Sequence, residues 1–400
     1  MKKSLFIFLS LTLSCMACSD GNKKRNIEDV IDSAISTSAR QISLMAGKLI
    51  NRPDKLPRSV DTDGLLTTSS SAWWTSGFFP GTLWYLYEIT GDTLLRTKAE
   101  IYTSRIEKEK FNKGTHDVGF MIYCSFGNGF RLTGNEHYKS VLLQGAESLS
   151  SRYKESTRLI RSWDFNQKEW QYPVIIDNLM NLELLQWAAK NSDNIQYDTI
   201  SRSHADITIK NHFRNDNGTF HVVSYDTISG APEKKQTNQG YSDNSTWARG
   251  QAWALYGYTM MYRETKENRY KIQAEKIARF ILDHPNLPED KIPYWDFDAP
   301  GIPNALRDAS AGAIMASAFI ELSRLTGKSE YMDIAETQIR TLSSPEYLAA
   351  PGTNAYFILK HSVGNMPKNS EVDVPLTYAD YYYVEALVRY KKIIETEINE

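Results

Sequence analysis

The sequence predicts an all-α fold, an (α/α)6 barrel of six inner and six outer helices. Apolar residues recur at helical spacing almost without interruption from about residue 27. Short Thr-Gly turns recur between these segments, in Y-E-I-T-G-D (87–92), F-R-L-T-G-N (130–135) and S-R-L-T-G-K (323–328). A glycine that ends one helix before a second amphipathic segment joins two antiparallel helices. The chain therefore repeats one helical hairpin.

The helical segments fall into two alternating classes. Six are apolar on nearly every face, which predicts burial on both sides, and lie near 79–90, 117–133, 175–190, 248–265, 308–325 and 377–397. Six carry one charged face and lie near 27–51, 92–108, 135–153, 195–213, 267–284 and 329–343. Regular alternation of inner and outer helices favours a closed ring, and an open superhelical array is the alternative. Strand-like alternation is brief, as in T-F-H-V-V-S-Y (219–225).

The first residues predict a targeting segment. A basic start and a short apolar stretch indicate a signal peptide over residues 1–18, of the bacterial lipoprotein type. Cys18 is the expected lipid site because Ala17 precedes it and a polar tether, residues 19–26, follows. Cys15 departs from the usual pattern, in which an aliphatic residue stands at that position, so simple cleavage and secretion is the alternative. Residues 27–400 would form one barrel domain.

This leader predicts an exported bacterial protein, periplasmic or anchored to the outer membrane. Its only expected membrane contact is a lipid on Cys18. In the body of the chain only Cys124 remains, which excludes an internal disulfide there.

Composition and motifs exclude several classes of function. A formal net charge of -2 gives no basic excess, so we expect no nucleic-acid partner. The chain has no phosphate loop, no G-x-S-x-G elbow and no zinc motif, and we expect neither metal nor organic cofactor. Aromatic residues make up 12%, with nine Trp and 23 Tyr, many of them where apolar segments begin. That distribution suits a surface that stacks on sugar rings.

The predicted topology places a functional site at one end of the barrel. Because each inner helix follows an outer one, all six inner helices run in the same direction and their N-termini meet at one mouth. The loops that enter these helices are S-A-W-W-T-S-G-F-F-P-G (71–81), T-H-D-V-G-F (115–120), W-Q-Y-P-V-I-I-D-N-L-M-N (170–181), N-Q-G-Y-S-D-N-S-T-W-A-R-G-Q-A-W (238–253), L-R-D-A-S-A-G (306–312) and P-L-T-Y-A-D-Y-Y-Y (375–383). For the opposite helix ends the sequence predicts only turn residues. This asymmetry predicts that the mouth binds a ligand.

Two acids stand where inner helices begin, Asp117 and Asp177. Either one is explained as a first-turn acid that the helix dipole stabilises. Asp177, however, lies between V-I-I and N-L-M, so we expect it to be buried with a raised pKa and able to act as a general acid. Asp117, next to His116, would supply a negative charge that raises this pKa further, or would bind substrate hydroxyls.

Other polar and aromatic residues of the loops have two interpretations each. Arg249, between Trp247 and Trp253, suits a bound carboxylate, or forms a structural ion pair with Asp243 or Asp308. His221 has no second ligand at metal-binding spacing and resembles a core histidine. Five tryptophans are candidates for sugar stacking or for core packing: Trp73, Trp74, Trp163, Trp170 and Trp295.

These motifs resemble those of the unsaturated glucuronyl hydrolases, glycoside hydrolase family 88. The likeness includes W-W-T-S-G-F-F-P-G, H-D-V-G-F, I-I-D-N-L-M-N, the block ending W-A-R-G-Q-A-W, and Y-A-D-Y-Y-Y-V-E-A-L, in the same order from about residue 70 onwards. The resemblance implies the (α/α)6 barrel. It also implies a substrate, oligosaccharides from polysaccharide lyases that end in a 4,5-unsaturated uronic acid.

The resemblance further implies a mechanism. The acid matching Asp177 protonates C4 of the ring alkene and takes a proton from the water that adds at C5, after which the hemiketal opens and the aglycone leaves. Asp117 and His116 would bind ring hydroxyls and tune Asp177. The resemblance assigns the remaining substrate contacts to Trp74, His221, Gln239, Trp247, Arg249 and Trp253, with Arg249 meeting the carboxylate.

Two other functions stay open at this point. One is an unsaturated rhamnogalacturonyl hydrolase that acts on pectin fragments, and the other is a glycan-binding barrel without activity. Sulfation of the substrate is also open. Lys360, His361 and Lys368, in the long loop 349–373, offer positive charge or polarity beside the expected aglycone position.

Overall fold

A computed structural model describes residues 25–399 of the chain. The predicted signal peptide, with Cys15 and Cys18, and the tether up to residue 24 lie outside the described residues. Cys124 is a buried free thiol. Within residues 25–399 no helix is long and apolar enough to cross a membrane.

Twelve long helices of the described part alternate between an outer and an inner layer, as the sequence predicts. The outer helices are α1 Ile27–Leu49, α3 Thr93–Ser104, α5 Glu136–Ser150, α7 Gln196–Asn211, α9 Asn268–Asp283 and α11 Ser329–Leu342. The inner helices are α2 Phe78–Thr90, α4 (118–133), α6 Asn178–Asn191, α8 Ala248–Thr265, α10 Ala309–Thr326 and α12 Thr377–Asn399. Helix α4 consists of Val118–Ile122, a π-helical turn Tyr123–Gly127, and Asn128–Thr133.

The inner helices form a closed ring. Each packs against the next, and α12 packs against both α10 and α2. The three Thr-Gly turns end α2, α4 and α10 with a glycine in the left-handed conformation, at φ values of 70°, 64° and 73°. The closed barrel is therefore confirmed over the open array.

Long connections lie at one end of the barrel and short turns at the other. The described strands all lie in connections from an outer to an inner helix. Antiparallel pairs are β1 Leu56–Val60 with β2 Leu66–Ser69, β3 Tyr153–Lys154 with β4 Leu159–Ile160, and β8 Ser362–Asn365 with β9 Ser370–Val374, while β5 Pro173–Ile175, β6 Val222–Tyr225 and β7 Pro232–Gln236 form one sheet. Strand β6 covers the last four residues of the segment 219–225 for which the sequence indicates strand-like alternation, and all four are buried. The predicted start of α6 near residue 175 is three residues early, because β5 ends at Ile175 and residues 176–177 form the turn into the helix.

Four aromatic rings divide the barrel interior into two ends. Ring centroids are 5.3 Å apart for Phe78 and Phe120, for Phe120 and Trp253, and for Trp253 and Tyr382. Tyr382 and Phe78, 5.9 Å apart, complete the layer. These side chains come from four inner helices, so the layer also holds the barrel walls together.

The prediction that the far helix ends carry only turn residues is wrong. A cavity of about 440 Å³ lies there, lined by Tyr85, Tyr123, Gly127, Asn128, Phe130, Arg131, Glu183, Trp187, Arg263, Glu264, Tyr381, Glu385 and Arg389. Its charged groups are paired: Arg263 contacts Glu183, and Arg389 contacts Glu385. The sequence pattern missed them because they stand within the helices rather than in the turns.

Candidate active site

Asp117 and Asp177 each stand immediately before an inner helix. Both have helical backbone angles, and neither side chain caps its own helix. The two carboxyl groups are therefore free for other contacts at the mouth. Asp117 Oδ1 lies 3.2 Å from His116 Nε2, and Thr115 Oγ1 donates a hydrogen bond of 2.5 Å to Asp117 Oδ2.

Asp177 is buried, as the sequence predicts, with 8% of its surface exposed. Its Oδ2 atom has no hydrogen-bond partner within the described residues. The pKa of Asp177 is raised to about 6, mainly by burial, with a smaller contribution from the negative charge of Asp117 and against the lowering effect of His116 and Arg249. This carboxyl therefore holds a proton in a fraction of molecules near neutral pH, as a general acid requires.

Asp117 has the opposite shift. Burial alone would raise its pKa, but the interactions with His116 and Thr115 outweigh burial and lower the pKa below its ordinary value. One acid of the pair is thus ionised while its neighbour can hold a proton. When the surroundings push the pKa values of two nearby carboxyls apart, one carboxyl can act as the proton donor while the other stays negatively charged.

His221 faces Asp177 as a neutral ring. Its Nδ1 accepts hydrogen bonds of 3.2 Å from the backbone amides of Asn238 and Gln239, so the ring proton is assigned to Nε2. Nε2 lies 3.8 Å from Asp177 Oδ2 and has no hydrogen-bond partner within residues 25–399. The pKa of His221 is lowered to about 3, mainly by burial and in part by the positive charge of Arg249. The ring therefore offers one N–H donor beside the general acid candidate.

Arg249 forms the ion pair with Asp308 that the sequence left open. Nη1 lies 3.1 Å from Asp308 Oδ2 and also donates to the carbonyl of Val363. Nη2 donates to Gln239 Oε1 at 2.7 Å and to the carbonyl of Gly364 at 2.6 Å. All four Nη hydrogens are thus bound within the chain. Arg249 holds Gln239 and strand β8 in place at the mouth.

The aromatic residues of the site form one continuous wall. Trp247 lies between Arg249 and His221, at 4.5 Å from the guanidinium and 4.4 Å from the imidazole ring. Trp74 packs against Tyr378 with ring centroids 4.9 Å apart and the rings tilted by 38°. Trp253 is fully buried in the aromatic layer below, and its Nε1 has no partner within the described chain.

The other tryptophan candidates divide between packing and exposure. Trp170 and Trp295 are buried, 4% and 5% exposed, which supports core packing. Trp163 is half-buried and packs against Trp170. Trp73 is 39% exposed and has the guanidinium of Arg58 4.2 Å above its ring.

The structure brings all nine predicted site residues together at the mouth. Sequence reasoning did not single out Tyr378, which contacts both Trp74 and Arg249, or Asn181, which contacts the start of α4. The aromatic start of α12, P-L-T-Y-A-D, was a sequence signal that could have pointed to Tyr378. Buried polar atoms of the mouth that have no partner within the described residues include Thr75 Oγ1, Ser76 Oγ, His116 Nδ1, Asp177 Oδ2, Asn181 Nδ2, His221 Nε2, Trp253 Nε1 and Tyr378 OH. Such atoms are available to a bound ligand.

Among the residues that the structure describes, no three His, Cys, Asp or Glu side chains are grouped as metal ligands. The polar groups that converge here are instead one protonatable carboxyl, one ionised carboxyl and a neutral imidazole, between aromatic side chains. On an (α/α)6 barrel this combination is the one expected of a glycoside hydrolase. Residues 43–271 match the model of Glycosyl Hydrolase Family 88, and the chain belongs to this family.

Individual relatives agree with this assignment. The chain is 46% identical over 395 residues to an unsaturated glucuronyl hydrolase of Formosa agariphila, which covers 98% of each protein. It is 30% identical to an unsaturated chondroitin disaccharide hydrolase of Streptococcus agalactiae, with 92% of each covered. A crystal structure of an unsaturated glucuronyl hydrolase specific for heparin superposes with a TM-score of 0.90 at 48% identity, over 92% of this chain and 98% of that one.

Proposed function

We propose that the protein removes a 4,5-unsaturated uronic acid from the non-reducing end of oligosaccharides that lyases release from glycosaminoglycans. The observation that carries the proposal is the buried Asp177 carboxyl, whose Oδ2 has no partner within the described residues and whose pKa is raised to about 6, beside His221 and Asp117. Hydration of an alkene needs one group that gives a proton and then accepts one, and a carboxyl that titrates in this range does both.

In the proposed reaction, protonated Asp177 gives its proton to C4 of the unsaturated ring. A water molecule adds its oxygen to C5, and its proton passes to the Asp177 carboxylate, which restores the acid. The C5 hemiketal then opens to a ketone, and the hemiacetal at C1 releases the aglycone hydroxyl as C1 becomes an aldehyde. Since no displacement occurs at C1, the spacing rule for the two carboxylates of ordinary glycosidases does not apply.

The surrounding residues would bind and orient the ring. The His221 Nε2 hydrogen is unused and is placed to donate to a ring hydroxyl next to Asp177. Asp117, held ionised by His116 and Thr115, would accept from a second hydroxyl. Trp74, Trp247 and Trp253 would surround the sugar, and Gln239 would contact it from the position that Arg249 fixes.

The uronate carboxylate requires positive charge or N–H donors. Because both Nη groups of Arg249 are bound to Asp308, Gln239, Val363 and Gly364, we propose that Arg249 attracts the carboxylate mainly through its charge. A direct bond from a Nη group would require one of these contacts to open.

A heparin-type product is the favoured substrate within this class. The chain is 48% identical in sequence to the heparin-specific enzyme and 30% identical to the chondroitin disaccharide hydrolase. Of the three groups predicted beside the aglycone, Lys360 donates to the carbonyl of Pro345 and His361 contacts Asp373. Lys368 is exposed, and its charge acts on His221. Lys368 is therefore the group best placed to meet a sulfate.

The experiment follows the ultraviolet absorbance of the conjugated alkene, with protein that lacks residues 1–18. Unsaturated disaccharides from heparin, chondroitin, hyaluronan and rhamnogalacturonan are compared, each with and without sulfate where both forms exist. We expect absorbance to fall, fastest with the heparin product, and no fall with Asp177→Asn. A preference for the rhamnogalacturonan product would overturn the substrate class, and no fall with any of the four would overturn the activity.

We also propose that the protein is exported and anchored by a lipid on Cys18. The basic start, the short apolar stretch and the polar tether support this. Metabolic labelling with a fatty acid, in cells that express the full chain, tests it. Cys18→Ser should abolish labelling and Cys15→Ser should not, whereas the reverse result would assign the lipid to Cys15.

A further inference from the structure

We propose that Asn181 is a positioning residue that takes over the helix-capping role of Asp117 and so frees the Asp117 carboxylate for the reaction. The inference rests on the roles proposed above for Asp117 and Asp177. It concerns the contact between the starts of α4 and α6, where the two acids stand.

Asp117 occupies the position at which an acid normally caps a helix. A capping side chain accepts a hydrogen bond from the backbone amide two or three residues later, which for Asp117 is that of Gly119 or Phe120. Asp117 makes no such bond, and its carboxylate contacts Thr115 and His116 instead. A buried amide left without an acceptor would destabilise the helix start.

Asn181 supplies the missing acceptor from the neighbouring helix. It lies one helical turn after Asp177 and is fully buried. Its Oδ1 accepts a hydrogen bond of 2.8 Å from the backbone amide of Phe120. The amide that Asp117 would otherwise bind is thus already satisfied by α6.

The two helix starts are in direct contact at this point. A Cβ atom on Gly119 would lie 2.5 Å from Asn181 Oδ1 and 2.6 Å from Asn181 Cα, so only glycine permits the approach. Asn181 therefore joins helix α4, which follows Asp117, to helix α6, which follows Asp177. Without the Asn181 oxygen, Asp117 would turn towards the free Phe120 amide and away from Asp177.

A double-mutant cycle tests this coupling. Asn181→Ala is measured in the wild-type protein and in Asp117→Asn, by kcat, KM and the pH profile of kcat/KM. In the wild-type background we expect kcat to fall about 10- to 100-fold with KM changed by less than about threefold. In the Asp117→Asn background we expect a further loss of less than about threefold, because the residue through which Asn181 acts is already changed.

The pH profile gives a second readout that simple loss of stability would not produce. Asp117 raises the pKa of Asp177. If Asp117 turns away, that pKa falls, so Asn181→Ala should move the basic limb of the profile to lower pH, as Asp117→Asn does. Asn181→Asp retains an acceptor oxygen at the same place and should recover at least about tenfold of the lost kcat.

The matched control is Asn128→Ala. Asn128 is a buried asparagine on α4, the helix that Asn181 contacts, and its Nδ2 donates to the Cys124 carbonyl and to Tyr381 OH at the far end. It should lower stability without moving the pH profile. If Asn181→Ala does not fold, Asn181→Ser replaces it, since serine places no oxygen at the Oδ1 position.

Equal losses of kcat from Asn181→Ala in both backgrounds would overturn the inference, as would an unchanged kcat. If Asp117→Asn alone leaves kcat and the pH profile unchanged, the role of Asp117 fails and the inference fails with it. If Asp117→Asn is impaired while the two losses simply multiply, the inference alone is overturned.

Discussion

The two ends of the barrel each bury a carboxyl whose pKa is raised, yet only one end has the features of an active site. At the mouth, burial raises the pKa of Asp177 to about 6. At the far end, burial raises that of Glu183 to about 7, supported by the negative charges of Glu264, Glu385 and Glu321 and opposed by Arg263. By pKa alone, Glu183 is the stronger candidate for a proton donor.

The two carboxyls differ in their partners. Glu183 is bound by Arg263, which also contacts Glu264 and Glu321. Of the described residues that line the far cavity, none has a fully buried polar side-chain atom without a partner. At the mouth, by contrast, Asp177 Oδ2 has no hydrogen-bond partner within the described residues, and neither do His221 Nε2 and His116 Nδ1. A raised pKa therefore locates buried carboxyls, and unsatisfied polar atoms distinguish a site from a structural network.

The sharpest test of this comparison is Asp177→Asn. The amide keeps the shape of the side chain but neither gives nor takes the proton, so we expect kcat to fall by at least about 10³-fold with the fold intact. Circular dichroism and alkene absorbance measure the two quantities. Retention of more than a tenth of the activity would remove Asp177 from the chemical step.

Asp117→Asn should have the next largest effect, about 10²-fold in kcat. Because the negative charge of Asp117 raises the pKa of Asp177, its removal should lower that pKa. Protonated Asp177 is the active form, so the decline of kcat/KM on the basic side should begin at lower pH than in the wild type. A decline at unchanged pH would show that the two acids are not coupled.

Arg249→Met tests a mouth residue that forms a buried ion pair, as the residues of the far network do. It leaves Asp308 buried without its cation, and we expect a loss of about 3–5 kcal/mol in the free energy of unfolding. KM should rise as the positive charge is lost. The basic decline should move to higher pH, because Arg249 lowers the pKa of Asp177. An unchanged KM would leave Arg249 with a structural role only.

Glu183→Gln should have the smallest effect. The Glu183 pKa is raised from 4.5 to about 7 in the folded state, so its contribution to stability is full below about pH 4.5 and is lost as pH rises through about 7. Relative to the wild type, the variant should gain thermal stability between pH 5 and pH 8, with kcat unchanged. A fall in kcat of tenfold or more would mean that the far end takes part in catalysis.

Local pattern was sufficient to predict the barrel. Helical spacing and terminal glycines depend on neighbouring residues, and alternation of the two helix classes follows from burial on one or two sides. The prediction that the site lies at one end of the barrel followed from the common direction of the six inner helices. Asp177 could be predicted as buried because apolar residues flank it on both sides.

The remaining features depend on contacts distant in sequence. Arg249 binds carbonyl groups of Val363 and Gly364, more than 100 residues away, and no local signal shows that these take up its donors. Asn181 and Phe120 meet only once the ring has formed. The charges of the far cavity were missed because a charged residue within a helix is normally a solvated one.

Ring closure also determines when during synthesis the protein gains activity. At the mouth, Trp74, just before the first inner helix, packs against Tyr378 at the start of the last, and at the far end Tyr85 OH donates to Glu385 across a separation of 300 residues. The site therefore combines the segment that enters the first inner helix with the inner helix that leaves the ribosome last. A growing chain can form its early hairpins, but it has no complete catalytic centre until α12 docks, and a protease that removes this helix would inactivate the enzyme without touching either acid.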